Sequence, residues 1–338
     1  MRLPDPFLHT PLQSPLATKP YSGTVLITGG TSGLGYHCAL NIARQHPEYL
    51  VVLASRTDRE SAATSINTSL GQENVIYLPL DLSSLAKVRS FAKEWESEDF
   101  PPIRALLLNA GLQFPDGVRK TDDGIEATFA INHVGHALLF HLLLPHLADR
   151  ARVVITSSGV HDPAQKTGMP DAKYTSAEEL AHPTPDSVKD DGPQRYSSSK
   201  LANVLWTYAL QRRLTSMPGK HVSVVAFDPG LMPGTGLARE YDAVTRWVWT
   251  YLLPYIIPLL RRVVLANTNT PQESGANLAR LAVSPEVEGV SGVYYEGSKD
   301  IKTSDESYEK EKQDDLWKWT VKNTAINDEE TAKFEIVS

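Results

Sequence analysis

The stretch Thr24-Val-Leu-Ile-Thr-Gly-Gly-Thr-Ser-Gly-Leu-Gly35 governs how the rest of the chain is read. Val25 to Ile27 is a short apolar run that breaks into glycine. Beyond it Leu34, Cys38 and Ile42 recur every fourth residue, the spacing of one helix face. The order is strand, turn, helix. Gly29, Gly33 and Gly35 let the backbone turn tightly and approach a ligand with no side chain in the way. The turn residues Gly29, Thr31, Ser32, Gly33, Leu34 and Gly35 then offer free N–H groups at a helix start. The dipole there favours an anion, and a pyrophosphate is the natural guest.

The 338 residues carry a formal net charge of −7, and 41% are hydrophobic. That suffices for one large α/β domain with a substantial core. The acidic balance, without a dense run of Lys and Arg, argues against nucleic-acid binding. Cys38 is the single cysteine, so no internal disulfide forms and a reducing, cytoplasmic setting is the simplest expectation. Its place on the apolar helix face points to packing rather than reactivity. Prolines at 4, 6, 11, 15 and 20 make residues 1–22 an extended arm, with no apolar segment of signal-peptide type.

Leu50 to Ala54 reads as a second buried strand, with Ser55 and Arg56 at its end. In a dinucleotide-binding sheet the adenosine ribose lies here. Positions 53 to 57 hold no Asp or Glu, and a guanidinium suits a 2′-phosphate, so NADP is favoured. The alternative is that Asp58 serves the ribose. A helix over 59–70 ends near Gly71, and Asn74 to Leu82 is a third strand running into a turn. Arg104 to Leu108 leads into Asn109-Ala110-Gly111, where small residues leave room for a ribose and nicotinamide.

A long helix is expected from Asp123 to Leu144, with Asp123 and Glu126 as a capping box. It carries Asn132, and its histidines at 133, 136, 141 and 146 face different ways, as satisfied helix residues do and metal ligands do not. The strand Arg152 to Thr156 ends in Ser157-Ser158, where a hydroxyl can donate to a substrate carbonyl. His161 either lines a substrate pocket or lies on the surface. In Tyr196-Ser-Ser-Ser-Lys200 a phenol and an amine share one helix face. An ammonium beside a phenol lowers the tyrosine pKa towards neutrality and makes it a proton donor and acceptor.

The order T-G-x-x-x-G-x-G, N-A-G, strand-end serines, Y-x-x-x-K resembles the short-chain dehydrogenase/reductase family over about residues 22 to 325. The chain looks most like the retinol-dehydrogenase and protochlorophyllide-reductase branch. Asn132-His-Val-Gly-His136, Arg56, and Ser291-Gly-Val-Tyr-Tyr295 running on to Leu316-Trp317 carry that likeness. The resemblance implies a single doubly wound parallel sheet of Rossmann type with helices on both faces. It implies reversible hydride transfer between an NADP nicotinamide and a carbonyl carbon. Tyr196 is then the acid or base, Lys200 tunes it and holds the ribose, Ser158 stabilises the oxyanion, and Asn132 holds a water in a proton relay. Asp81 and Leu82 meet the adenine, unless Asp81 merely caps the next helix. Asn109 fixes its turn, and Pro229 with Gly230 frames the nicotinamide.

Two departures stand out. Residues 159–195 are an inserted loop expected to rim the substrate mouth. Thr235 falls one residue later than the family's pattern, which puts its contact to the carboxamide in doubt. Residues 236–268 are expected to form a lid. Within them Trp247 to Leu260 is uncharged but too short and too proline-broken to span a bilayer. It reads first as a cover over an apolar substrate, with a partner interface or a membrane surface as the other readings. The catalytic domain then covers 23–300, and the charged tail 301–338 docks through Trp317 and Trp319.

The expected activity is reduction of a ketone or aldehyde on an apolar or aromatic small molecule, such as a secondary metabolite, a retinoid or a steroid-like compound. The rivals are a light-dependent protochlorophyllide-type reductase and a dinucleotide-sensing regulator without turnover. Pairing of subunits through the two long helices is open, with the lid and tail standing against it.

Overall fold

The computed structural model describes residues 21–217 and 219–335. The expected arm 1–22 lies almost wholly outside the described residues. Eight strands form one sheet in the order β3-β2-β1-β4-β5-β6-β7-β8. They are β1 Gly23–Thr28, β2 Tyr49–Ser55, β3 Val75–Pro79, β4 Ile103–Leu108, β5 Leu147–Thr156, β6 Ser223–Asp228, β7 Val293–Glu296 and β8 Lys299–Ile301. All neighbouring pairs are parallel except β7 with β8, which form an antiparallel hairpin. The central strands are buried on both faces, so they read as continuous apolar runs rather than alternating ones. The chain starts at β1, winds outward to β3, then returns to β4 on the other side. The crevice between the carboxyl ends of β1 and β4 is therefore the place where such a sheet takes a ligand.

One face is covered by the helices Gly33–Gln45 and Pro271–Val283, which pack on each other and on β1, β2 and β4. Cys38 lies buried there, and burial pushes its thiol pKa well up. The other face holds Leu85–Ser97, Ala127–His146 and Gly192–Thr215. Ala127–His146 is long and apolar enough to cross a bilayer, yet it is enclosed within the domain.

This helix starts later than Asp123. Gly124 takes a left-handed conformation (φ +80°), which breaks any helix before it, and Glu126 caps Phe129 N instead. Asp123 caps a different element, accepting from Leu85 N at 3.0 Å. Likewise the helix expected over 59–70 begins at Ala62, where Asp58 Oδ1 accepts from the Ala62 N–H at 2.7 Å. Gly71, in a left-handed conformation, ends it.

The tail returns over the Gly192–Thr215 face as the helix Lys310–Thr324, with Trp317 and Trp319 buried. The Arg213 guanidinium stacks over Trp317 at 4.2 Å, and Trp319 Nε1 donates to Glu178 at 2.7 Å. The last helix, Asp328–Glu335, is clamped by a two-pronged Arg89–Glu330 ion pair and buries Phe334 against His141. Seventeen residues of Gly192–Thr215 are buried within one chain. The tail thus covers part of the face that this helix turns away from the sheet.

Candidate active site

A cavity of about 850 Å³ runs along the carboxyl edge of the sheet, at the β1/β4 crevice. Gly29 and Gly33 adopt positive φ (+68° and +53°), which a side chain would strain. Gly35 lies so close to the Gly29 carbonyl that a Cβ there would collide with it. This packing seats the start of the helix Gly33–Gln45 at the cavity wall beside Thr31, Ser32 and Leu34. Ser32 makes no side-chain cap, so the first-turn N–H groups stay available for an anion. The cradle fits a pyrophosphate.

Thr28 ties the ends of β1 and β4 together. Its Oγ1 accepts from Asn109 N (2.8 Å) and Ala110 N (3.0 Å), and Asn109 Nδ2 donates to Thr28 O at 2.8 Å. The buried His136 completes the knot. Burial lowers its pKa to about 4, so it is neutral. Its Nδ1 lies 3.1 Å from the Asn132 carbonyl, which can only accept, so Nδ1 carries the proton. Nε2, 2.9 Å from Thr28 Oγ1, is then an acceptor for the threonine proton, closer to it than the Leu107 carbonyl at 3.3 Å.

At the end of the cavity next to β2, Arg56, Thr57 and Arg59 line the wall, while Asp58 points away to cap its helix. Arg56 and Arg59 form no ion pair among the described residues. Arg239 reaches the same cavity from residues 236–268; burial lowers its pKa, and the nearby Arg56 charge adds to the shift. Arg239 was invisible to sequence reasoning, because only tertiary folding sets it beside Arg56. Asp81 accepts from Ser83 N, Ser83 Oγ and Lys87 Nζ (3.1, 2.6 and 2.9 Å), and with Leu82 it lines the cavity. Both roles weighed for it remain compatible: it organises the turn before Leu85–Ser97 and keeps lone pairs for a ligand.

The hydroxyl and amine groups expected from sequence to react meet at the other end. Tyr196 and Lys200, on Gly192–Thr215, and Ser158, after β5, all line the cavity. Both serines line the cavity, but Ser157 Oγ is buried and donates to the Lys200 carbonyl at 2.8 Å, which leaves Ser158 with the uncommitted hydroxyl. Neither the Tyr196 nor the Ser158 hydroxyl is engaged by another group among the described residues. Lys200 Nζ donates to the Thr156 carbonyl at 3.1 Å and lies 5.4 Å from the Tyr196 ring centre. Gly111 passes 3.4 Å from that ammonium, measured from where its Cβ would stand, and the Asn132 amide oxygen lies 3.5 Å from the same point. The N-A-G turn, Asn132 and Lys200 therefore converge. The Asn132 amide is largely spent on the protein: Oδ1 accepts from Leu112 N, and Nδ2 donates to Leu112 O and Ser199 Oγ. One lone pair of Oδ1 is left for a water.

The expected lowering of the Tyr196 pKa is not what its surroundings produce. Burial raises it, and Asp228 and Tyr241 raise it further. The Lys200 amine is pulled down to about 8 by burial, with Asp228 pushing the other way. Asp228 itself is buried, its pKa raised by burial to about 6, with its oxygens accepting from Gly230 N (2.8 Å) and Asn267 Nδ2 (3.0 Å). Its position at the start of the Pro229-Gly230 turn was legible; its place behind the reacting pair was not. Gln113 and Tyr241 were also missed: Gln113 Nε2 donates to Tyr241 Oη at 2.6 Å, and both line the cavity.

Val160, Gln165, Thr167 and Met169 bring the 159–195 insertion to the cavity wall. Pro229, Gly230 and Thr235 line it as well, with Thr235 Oγ1 donating to Met232 O. His161 is neither a pocket nor a surface residue. It is buried beneath β7, its Nδ1 on the Ser158 carbonyl at 2.7 Å and its ring 4.9 Å from that of Tyr294. His133 and His141 also depart from expectation. Among the described residues none of their ring nitrogens meets a partner at full hydrogen-bond geometry, and the rings pack among Phe129, Trp206, Trp317 and Phe334. Among the described residues no group of three or more His, Cys, Asp or Glu is placed to hold a metal ion.

The model of the family described as short chain dehydrogenase matches residues 23–176, and that of the AcuH dehydrogenase domain matches 238–333. Human polyprenol dehydrogenase is 31% identical over 309 residues, 90% of this chain and 85% of that protein. Human retinol dehydrogenase 14 is 35% identical over 80% of this chain and 77% of its own length. The chain belongs to the short-chain dehydrogenase/reductase family. Within it, this dehydrogenase/reductase falls in the branch that holds the retinol dehydrogenases. A solved structure of an uncharacterized Mycobacterium paratuberculosis protein, 26% identical, superposes with a TM-score of 0.63 over 91% of this chain and 96% of that one. The family's members are oxidoreductases that use nicotinamide dinucleotides on small molecules.

Proposed function

We propose that this oxidoreductase uses NADP(H) to interconvert a carbonyl and an alcohol on an apolar small molecule, with reduction as the favoured direction. The meeting of the glycine turn, Ser158, Tyr196 and Lys200 in one cavity carries the proposal. A bound NADPH supplies the hydride. Ser158 donates a hydrogen bond to the substrate oxygen as negative charge develops there. Tyr196 gives that oxygen its proton, and a phenol held above its ordinary pKa is fully protonated and ready to do so at neutral pH. Lys200, with an amine pKa of about 8, is mainly cationic at neutral pH and favours the phenolate that is left. Asn132 orders the turn at Leu112 and offers the remaining lone pair to a proton-carrying water.

Arg56, Arg59 and Arg239 support the 2′-phosphate, since Asp58 is occupied elsewhere and none of the three forms an ion pair among the described residues. The expected effect of Arg56→Ala is a ten- to hundredfold weaker NADPH affinity, about the value of one charge-assisted phosphate contact. NADH affinity should change by less than about twofold. Titration of both cofactors by fluorescence checks this, and equal losses would remove the assignment. Residues 236–268 serve as the lid, since Leu237, Trp249 and Leu265 line the cavity. That apolar wall, and relatives named for polyprenol and retinol, support an apolar substrate. A panel of aldehydes and ketones followed by NADPH absorbance tests the whole reading.

A further inference from the structure

Eight of the eleven large apolar side chains that stand exposed among the described residues lie between Val244 and Val264. This stretch is a broken helix: Ala243–Trp247, a wider turn Val248–Leu252, a tighter turn Leu253–Ile256, then Ile257–Val263. Val244, Trp247, Tyr251 and Tyr255 recur at helical spacing and face solvent, at 73%, 56%, 62% and 85% exposure. The opposite side carries Thr245 and Trp249 to the cavity, and Trp249 Nε1 is anchored on the Thr235 carbonyl at 2.9 Å. The amphipathic sense is inverted for a soluble protein, with the greasier stripe outward.

Asp242 caps the first turn of this stretch and Glu273 follows its far end, but between these two acids residues 243–272 contain three arginines and no Asp, Glu or Lys. Arg261 pairs with Glu273, while Arg246 and Arg262 are exposed and pair with no acid among the described residues. Exposed Trp and Tyr flanked by unneutralised guanidinium groups match the headgroup region of an anionic bilayer, where the rings bury and the cations meet phosphate. The segment also walls the cavity, so whatever it rests on adjoins the substrate's way in.

We infer that the 244–264 ridge docks the enzyme on an anionic bilayer surface, and that substrate passes between lipid and cavity at this place. The second half rests on the oxidoreductase proposal; the docking itself does not. Docking is tested by sedimentation of the full chain with vesicles of phosphatidylcholine alone, and of phosphatidylcholine with one-third phosphatidylserine. The chain should bind the serine-containing vesicles at least about tenfold more tightly and leave them at high salt. Tyr255→Glu combined with Val263→Glu, and separately Arg246→Glu combined with Arg262→Glu, should each abolish co-sedimentation. Their melting temperatures should stay at the wild-type value.

Wild-type protein left in the supernatant with anionic vesicles would overturn the docking. So would variants that bind as well as wild type, or a wild-type dimer in light scattering that either double variant dissociates. Vesicle binding without turnover of any carbonyl would instead leave docking standing and reject the reaction.

Discussion

Tyr196→Phe is expected to lower kcat for carbonyl reduction by about a thousandfold, within the range for removing a general acid. Binding of NADPH should be retained, because the phenyl ring keeps its place on the buried helix Gly192–Thr215 and only one oxygen is lost. The Tyr196 hydroxyl borders the cavity and has no protein partner among the described residues, so its removal strands no other polar group. The fold should therefore tolerate the change, and loss of turnover reports on chemistry. Two measurements separate these outcomes: the NADPH-dependent rise in melting temperature, and the single-turnover rate with saturating substrate. A rise equal to wild type with a rate reduced only severalfold would show that Tyr196 is not the proton donor.

The second large effect is on stability against pH. His133, His136 and His141 lie along one buried helix, and burial lowers their pKa values to about 3, about 4 and about 3. In an unfolded chain each returns to its ordinary 6.5. Below pH 6.5 the unfolded chain therefore takes up protons that the folded protein refuses, and stability falls as pH falls. Each histidine contributes at most about 1.4 kcal/mol per pH unit, and because the unfolded imidazoles are only half protonated at pH 6.5 the three together cost about 5 kcal/mol between pH 6.5 and 5. Asp228 acts in the opposite sense. Its folded pKa is raised to about 6 from 3.8, so the folded protein keeps a proton there that the unfolded chain releases. Over the same interval this returns about 1.4 kcal/mol.

The net loss is on the order of 4 kcal/mol, a large share of the stability of a typical domain. Urea unfolding at pH 7.5 and pH 5 measures it. In His133→Leu the dependence on pH should be shallower by about two-fifths, whatever that change does to stability at pH 7.5. A stability that is flat between the two pH values would mean that these imidazoles are not held neutral by burial.

Local signals were enough for the sheet, the glycine turn and the Tyr196–Lys200 pair. A strand entering glycine, a run of small residues after β4 and a phenol four residues before an amine are consequences of chain periodicity, which neighbours in sequence alone impose. The start of the Asn132 helix was misplaced because two acids at capping spacing, Asp123 and Glu126, look alike in sequence. Gly124 between them turned one towards Leu85 and left the other as the cap.

The electrostatics of the pair also waited for the fold. The phenol and amine share a helix face by spacing, but their pKa values follow from depth and from Asp228, which lies on a different strand. Arg239 beside Arg56, Tyr241 on Gln113 and the outward ridge of 244–264 have the same origin. Sequence determined which groups this protein possesses and which backbone elements carry them. Only tertiary packing decided which charges share a cavity and which apolar faces stay in water, because desolvation and Coulomb forces act through space between residues far apart along the chain.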